Sequence, residues 1–228
     1  MGVEYEGVGP AHGELEAVLA ARYGAGVYDK LKAARVAVAG LGGLGSHIAV
    51  ALARVGVGFL FLVDFDVVEP SNLNRQSYFV GDVGRLKTEA LREQIEAINP
   101  LVEVAVRAVR VEEHNIVELF GGCDVLCEAL DDQEAKAGLV STALAGLPGL
   151  KVVAASGMAG YGSANSIRTQ RRLKNLYVCG DGEGCGGSGM KDTKSVGEYM
   201  GFMAPRVQIC AGHQANMTLR LLAGLEEA

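Results

Sequence analysis

The chain has 228 residues, of which 49% are hydrophobic, enough for one α/β domain of ordinary size with a substantial core. Its formal net charge of −6 provides no global basic field to attract nucleic acid. No run approaches the ~18 apolar residues of a membrane span.

The acidic start Met1-Gly2-Val3-Glu4-Tyr5-Glu6 lacks the basic and apolar regions of a signal peptide. The five cysteines are scattered and odd in number, which argues against a disulfide framework. A cytoplasmic protein with reduced thiols is expected. Residues 1–13 read as a loose leader that extends to about residue 30, interrupted by a helix at 14–22 carrying Leu15, Val18 and Leu19. Gly24-Ala25-Gly26 breaks that helix. Arg35-Val36-Ala37-Val38-Ala39 is a short apolar run ending in glycines, the pattern of a buried strand. Residues 46–55 then place Ile48, Leu52 and Val55 on one helical face. Phe59-Leu60-Phe61-Leu62-Val63-Asp64 is a second buried strand with an acid at its end, completing a βαβ unit.

A polar loop over 65–84 leads to a helix over 85–99, with Leu91, Ile95 and Ile98 aligned and Pro100 closing it. Strands are predicted at 102–106, 124–128 and 151–155, and helices at 115–120 and 133–144. This alternation predicts an α/β fold: a Rossmann-like, mainly parallel sheet with helices on both faces. After about residue 160 the texture changes. Residues 165–170 and 175–178 predict a small antiparallel C-terminal extension, and the glycine-rich stretch 180–195 a mobile loop. Pro205 opens a long apolar helix with Val207, Ala211, Ala215, Leu219 and Leu222. No internal repeat or linker divides the chain, so 1–228 reads as a single domain.

The turn Gly40-Leu41-Gly42-Gly43-Leu44-Gly45 follows a strand and opens a helix. Glycines there let the backbone turn tightly and approach phosphate, and the helix N-terminus supplies N–H donors. Asp64 stands where an acid grips ribose hydroxyls. The turn alone does not choose between NAD, FAD and ATP. The next segment does: Asp66 is followed by Ser71-Asn72-Leu73-Asn74-Arg75-Gln76. Arg75 can neutralise phosphate charge as pyrophosphate leaves, and Asn72 can orient the phosphate. Lys87, in the first turn of a helix, opposes the helix dipole, and a nearby phosphate would explain it. Taken in isolation it reads as a solvated surface lysine. Glu128-Ala129-Leu130-Asp131-Asp132 ends another strand, where its acids can hold Mg²⁺. Helix capping by Asp131 or Asp132 is the plainer reading of those two.

This ordered set resembles the ThiF/MoeB/HesA family, the bacterial relatives of ubiquitin-activating enzymes. The resemblance covers about 22–222 and includes Val83-Gly84 with Lys87, and Met203-Ala204-Pro205-Arg206-Val207 leading into a helix. Short ThiF-like adenylyltransferases of thiamine biosynthesis are especially similar, through Ala155-Ser156-Gly157-Met158-Ala159-Gly160 and His213-Gln214-Ala215-Asn216. The resemblance implies a homodimer that adenylates the Gly-Gly terminus of a ubiquitin-like sulfur carrier protein resembling ThiS. ATP would be bound by Gly40, Gly42, Gly43, Gly45, Asp64, Asp66, Ser71, Asn72, Arg75, Gln76 and Lys87. Arg75, Lys87 and Asp131 would carry the chemistry, with Asp131 on Mg²⁺.

The sequence also departs from the family. Cys123, Cys127, Cys179, Cys185 and Cys210 contain no C-x-x-C pair, so structural zinc is not expected. An arginine three residues after Arg22 is replaced by Ala25, the asparagine after Asp131 by Asp132, and a later arginine by Lys136. Cys185 is a candidate thiol for the activated carrier, with an incidental cysteine the plainer reading. Two other readings stand beside carrier adenylation. An NAD(P)-dependent oxidoreductase would give Asn72, Arg75 and Lys87 no role. A related ATP-dependent tRNA-modifying dehydratase would use the same site, although the acidic balance weakens that reading.

Overall fold

A computed structural model of the chain describes residues 12–23, 26–158, 162–182 and 204–226. Several expectations fall outside the described residues: most of the loose leader, the Ala25 position, Ala159 and Gly160, most of the glycine-rich loop with Cys185, and Met203.

Two helices open the described chain, α1 (His12–Tyr23) and α2 (Val27–Ala33). The leader was expected to run to about residue 30, and α2 corrects that. It buries Tyr28 and Leu31 and ends on a buried Ala34. A helix of seven residues is too short to show a period in the sequence. A left-handed Gly26, φ +79°, starts it.

The remaining elements alternate. They are β1 (Arg35–Ala39), α3 (Gly43–Arg54), β2 (Phe59–Val63), α4 (Lys87–Ile98), β3 (Glu103–Arg107), α5 (Ile116–Phe120), β4 (Val125–Glu128), α6 (Gln133–Gly146) and β5 (Lys151–Ala155). Then come β6 (Arg168–Leu173), β7 (Leu176–Gly180) and α7 (Ala204–Ala223). The sheet has seven strands in the order β3-β2-β1-β4-β5-β7-β6, all parallel except β6, which is antiparallel to β7. The antiparallel pair is thus a continuation of the main sheet. Its first strand starts later than the sequence suggested, because Ala164–Ser166 turn in a 3-10 helix capped by the Ser163 hydroxyl.

Strand alternation sorts the core into two halves. Val36, Val38, Leu60, Leu62 and Val125 face α3, α4 and α7, while Ala37, Ala39, Leu126 and Val152 face α5 and α6. Burial on both sides is why these strands read as continuous apolar runs. The strand order reverses between β1 and β4, and Ala39 pairs in register with Val63 and Glu128. The chain therefore leaves three adjacent strands at one level, through Gly40, Asp64 and Ala129. A crevice outside the strand ends at such a reversal is where open α/β sheets bind ligands.

Candidate functional site

The glycine turn bridges β1 and α3. Gly40 has φ +87°, and a Cβ there would lie 2.6 Å from the Ala129 carbonyl oxygen. A Cβ on Gly45 would lie 1.8 Å from the Gly40 oxygen. Chain packing alone demands both glycines. Gly42 differs: a Cβ there would meet only the Gln76 Nε2, at 3.8 Å. The first helical bond of α3 runs from the Ser46 N–H to the Gly42 oxygen at 3.1 Å. No side chain caps the helix, and among the described residues no hydrogen bond uses the N–H of Gly43, Leu44 or Gly45. Three donors and the positive end of the dipole thus point out at the sheet edge.

Asp64 fixes this turn. Its Oδ2 accepts the Leu41 N–H at 2.6 Å and its Oδ1 the Asp66 N–H at 2.8 Å. Burial pushes its carboxyl up, against the pull of Lys87. The Tyr78 hydroxyl donates to the Leu41 carbonyl at 2.8 Å, so the peptides on both sides of Leu41 are held. An acid expected to grip a ribose also ties the loop that would cradle its phosphate.

The segment after β2 folds back over the turn. Pro70–Asn72 form a 3-10 helix closed by the Asn72 Oδ1, which accepts the Glu69 N–H at 3.1 Å. The Asn72 Nδ2 donates to the Ser71 hydroxyl at 3.4 Å. Arg75 is partly exposed, and its Nη1 donates to the Ser71 carbonyl at 3.0 Å and to Asn74 Oδ1 at 2.9 Å. Its stem lies beside Gly43, whose Cβ would be 3.6 Å from Arg75 Cγ. Gln76 is buried against the turn, and its Oε1 has no partner among the described residues. Its Nε2 is the atom nearest the open Gly42, and the buried unpaired Oε1 beside it is an orphan acceptor that a ligand donor would satisfy.

Sequence reasoning missed the residues that hold this segment. The Ser46 hydroxyl donates to the Gly42 carbonyl at 2.7 Å and accepts the Ser77 N–H at 3.1 Å. His47 lies 3.0 Å from the Arg75 carbonyl through Nε2 and 2.7 Å from the Ser77 hydroxyl through Nδ1. The available signal was a polar Ser46-His47 pair at the head of an otherwise apolar helix.

Lys87 opens α4 and is buried, so the solvated-lysine reading is wrong. Its Nζ donates to the Asp66 Oδ2 at 2.8 Å, and its N–H to the Asp66 carbonyl at 3.0 Å. Asp66 thus places the lysine beside the glycine turn that Asp64 fixes.

The acids after β4 divide. Glu128 is fully buried. It accepts the Leu130 N–H at 2.8 Å and pairs with Lys136 at 2.7 Å. It belongs to the interior, which corrects its inclusion among candidate metal ligands. Asp132 caps α6 by accepting the Ala135 N–H at 2.8 Å. Asp131 is left exposed at the strand end. Further along, Val207 packs on the turn, 3.0 Å from where a Gly43 Cβ would be. Arg206 clasps Asp181 at 2.7 Å and the Ser163 carbonyl at 2.6 Å. Among the described residues no group of three or more His, Cys, Asp or Glu stands together to hold a metal ion. Burial pushes the Cys127 and Cys210 thiols up to about 12. No helix among the described residues is long and apolar enough to cross a membrane.

The ThiF family matches residues 16–228. A probable adenylyltransferase/sulfurtransferase, MoeZ of Mycobacterium tuberculosis, is 46% identical over 104 residues, 45% of this chain and 26% of that protein. The adenylyltransferase and sulfurtransferase UBA4 of Yarrowia lipolytica is 30% identical over 207 residues, 86% of this chain and 47% of that protein. The chain therefore spans at most about half the length of these curated relatives. The fold is similar to the crystal structure of the E. coli tRNA N6-threonylcarbamoyladenosine dehydratase TcdA in complex with ATP. The TM-score is 0.77 and the identity 22%, covering 91% of this chain and 93% of that one.

Proposed function

The chain belongs to the ThiF family, and on that premise we propose that it adenylates the C-terminal Gly-Gly carboxylate of a ubiquitin-like sulfur carrier protein with ATP. The observation that carries this reading is the convergence at one sheet edge of unpaired α3 N–H groups, the Arg75 guanidinium and the buried Lys87 ammonium. Such a group of fixed donors suits a triphosphate and has no evident use in hydride transfer.

In this reading the carrier carboxylate attacks the α-phosphorus of ATP. A bond forms between that oxygen and phosphorus, the bond to the bridging oxygen breaks, and pyrophosphate leaves with the electron pair. A carboxylate is already ionised at neutral pH, so no general base is required. The protein's work is positioning and charge neutralisation. Gly40, Gly42, Gly43 and Gly45 shape the cradle. Asp64 and Asp66 hold the turn and Lys87, and Ser71, Asn72 and Gln76 line the phosphate side. Arg75 and Lys87 draw charge towards the departing pyrophosphate. Asp131, exposed and free of the capping duty that Asp132 takes, suits Mg²⁺ that otherwise binds phosphate oxygens. That ion, when bound, would offset triphosphate charge. Residues 1–228 are read as one such domain, acting in the cytoplasm as a homodimer, with thiamine biosynthesis as its pathway. Exposed Phe79, Val80 and Val83 near the site suit a subunit contact.

The test is exchange of labelled pyrophosphate into ATP with Mg²⁺ and a Gly-Gly-terminated carrier. Carrier-dependent exchange supports the proposal, and its absence with every carrier sinks it. NAD(P)H binding without ATP binding would restore the oxidoreductase reading. The structural similarity to TcdA over nearly both chains favours one second reading, an ATP-dependent tRNA dehydratase. Adenylation of a modified tRNA with no response to any carrier protein would favour it.

A further inference from the structure

A trough of about 340 Å³ runs along the outer strands of the sheet on the face that carries α6. Leu176 and Val178 of β7 form its floor, Ala137 and Val140 of α6 one wall, and Arg168 and Arg172 of β6 the other. The two arginine side chains are exposed and make no hydrogen bond or ion pair among the described residues. Arg171, on the opposite face, is engaged with Glu226, the Lys174 carbonyl and the Tyr177 ring. Lys136, the other cation lining the trough, is already bonded to Glu128. The result is an apolar channel with one wall of unpaired positive charge, on a chain whose net charge is −6.

Arg168 and Arg172 both line the trough from one strand, Arg172 from the bulge between Arg171 and Leu173, so they stand within ~13 Å of each other along it. We propose that the trough binds an extended acidic segment of the protein substrate, with carboxylates four residues apart facing β6. Intervening side chains at alternate positions then face Ala137 and Val140, so they are small and apolar. Among the described residues no aromatic side chain lines the trough, which disfavours a single-stranded nucleic acid that would stack its bases. The upper end lies at Ser156 and Gly180, at the strand ends, the same sheet edge as Gly40. Three strand spacings, ~14 Å, separate that end from the glycine turn. That the occupant is a substrate rests on the adenylation reading; that it is an acidic polypeptide rests on the trough.

The test uses the full chain and two fluorescein-labelled peptides ending in Gly-Gly, one with Asp at positions four residues apart and one with Asn at both. Fluorescence anisotropy at low salt should show the Asp peptide binding about tenfold more tightly, with the gap closing as salt is added. The double variant R168E/R172E should lose the preference and favour a Lys-for-Asp peptide, with ATP binding unchanged. Equal binding of the Asp and Asn peptides, or binding of neither, overturns the proposal. Tighter binding of oligouridylate than of the Asp peptide, lost in the same variant, overturns it in favour of RNA. Charge-selective binding without carrier-dependent exchange sinks the adenylation reading and leaves the trough assigned. Exchange with charge-blind binding sinks the trough alone.

Discussion

The Lys87 ammonium donates to the Asp66 carboxylate at 2.8 Å, and the two partners sit in unlike surroundings: the lysine side chain is 7% exposed and the aspartate 47%. Removing either one should therefore have different consequences. Asp66→Ala strands a buried ammonium, for which the nearby Asp64 compensates in part, and should cost about 2–3 kcal/mol. Lys87→Met keeps the buried stem and frees a carboxylate that water can solvate, for about 1 kcal/mol or less. Activity should rank the opposite way, with Lys87→Met losing about a hundredfold in pyrophosphate exchange. Urea denaturation and exchange assays on both variants check this. A Lys87→Met protein less stable than Asp66→Ala would mean the pair is not what holds this corner.

The four glycines of the turn should separate into two classes. Gly45→Ala forces a Cβ to 1.8 Å from the Gly40 oxygen, and backbone must move; several kcal/mol of destabilisation is expected. Gly42→Ala meets only a side-chain nitrogen at 3.8 Å and should fold with a change of ~1 kcal/mol or less. If the open face at Gly42 exists for close approach of phosphate, that same variant should bind ATP at least tenfold more weakly. Calorimetric titration with ATP and a thermal melt decide it. Normal ATP affinity in a folded Gly42→Ala protein would remove the phosphate argument from this glycine.

The sequence made the parallel strands legible because both their faces are buried, so β1 and β5 appear at the expected bounds from apolar runs alone. Asp64, Arg75 and Lys87 were legible as chemistry because each residue type is unexpected where it stands. What did not show was the holding network. Ser46, His47, Ser77 and Tyr78 act across 28 to 37 residues, mostly through a backbone carbonyl or amide, and no spacing rule encodes such a bond. Glu128 illustrates the opposite failure. Its place at a strand end suggested a metal ligand, whereas Lys136, eight residues on, returns over one turn of α6 to neutralise it.

That buried pair predicts a pH dependence. Burial raises the Glu128 carboxyl above its ordinary 4.5, and Lys136 is the strongest influence pulling it back down. Lys136→Met removes that pull, so the folded-state pKa rises further. A carboxyl raised in the folded state contributes stability below its unfolded value and loses it as pH rises through the folded value. The variant should therefore be near wild type around pH 4.5 and increasingly destabilised towards pH 8, by about 3 kcal/mol. The double variant Glu128→Gln/Lys136→Met, with no charge to bury, should regain most of that at pH 8. Chemical denaturation across this range tests it, and a pH-independent deficit would show that lost packing, not the charge, is responsible.

His47 offers the last prediction. A carbonyl oxygen only accepts, so the Nε2 that lies 3.0 Å from the Arg75 carbonyl carries the proton, and Nδ1 accepts from the Ser77 hydroxyl at 2.7 Å. Burial lowers the ring's pKa below 6.5, which favours the neutral form, and in that form the two partners fix one tautomer. A histidine depressed in the folded state contributes stability above its unfolded value and loses it as pH falls through the folded value. The stability gap between wild type and His47→Gln should then be constant above pH 6.5 and change to the wild type's disadvantage below it. In exchange assays His47→Ala, which releases the Arg75 backbone, should lose about tenfold through misplaced geometry. His47→Gln restores a donor of similar reach and should recover most of that activity at pH 7.5. If alanine and glutamine behave alike, the histidine fills space and does not position Arg75.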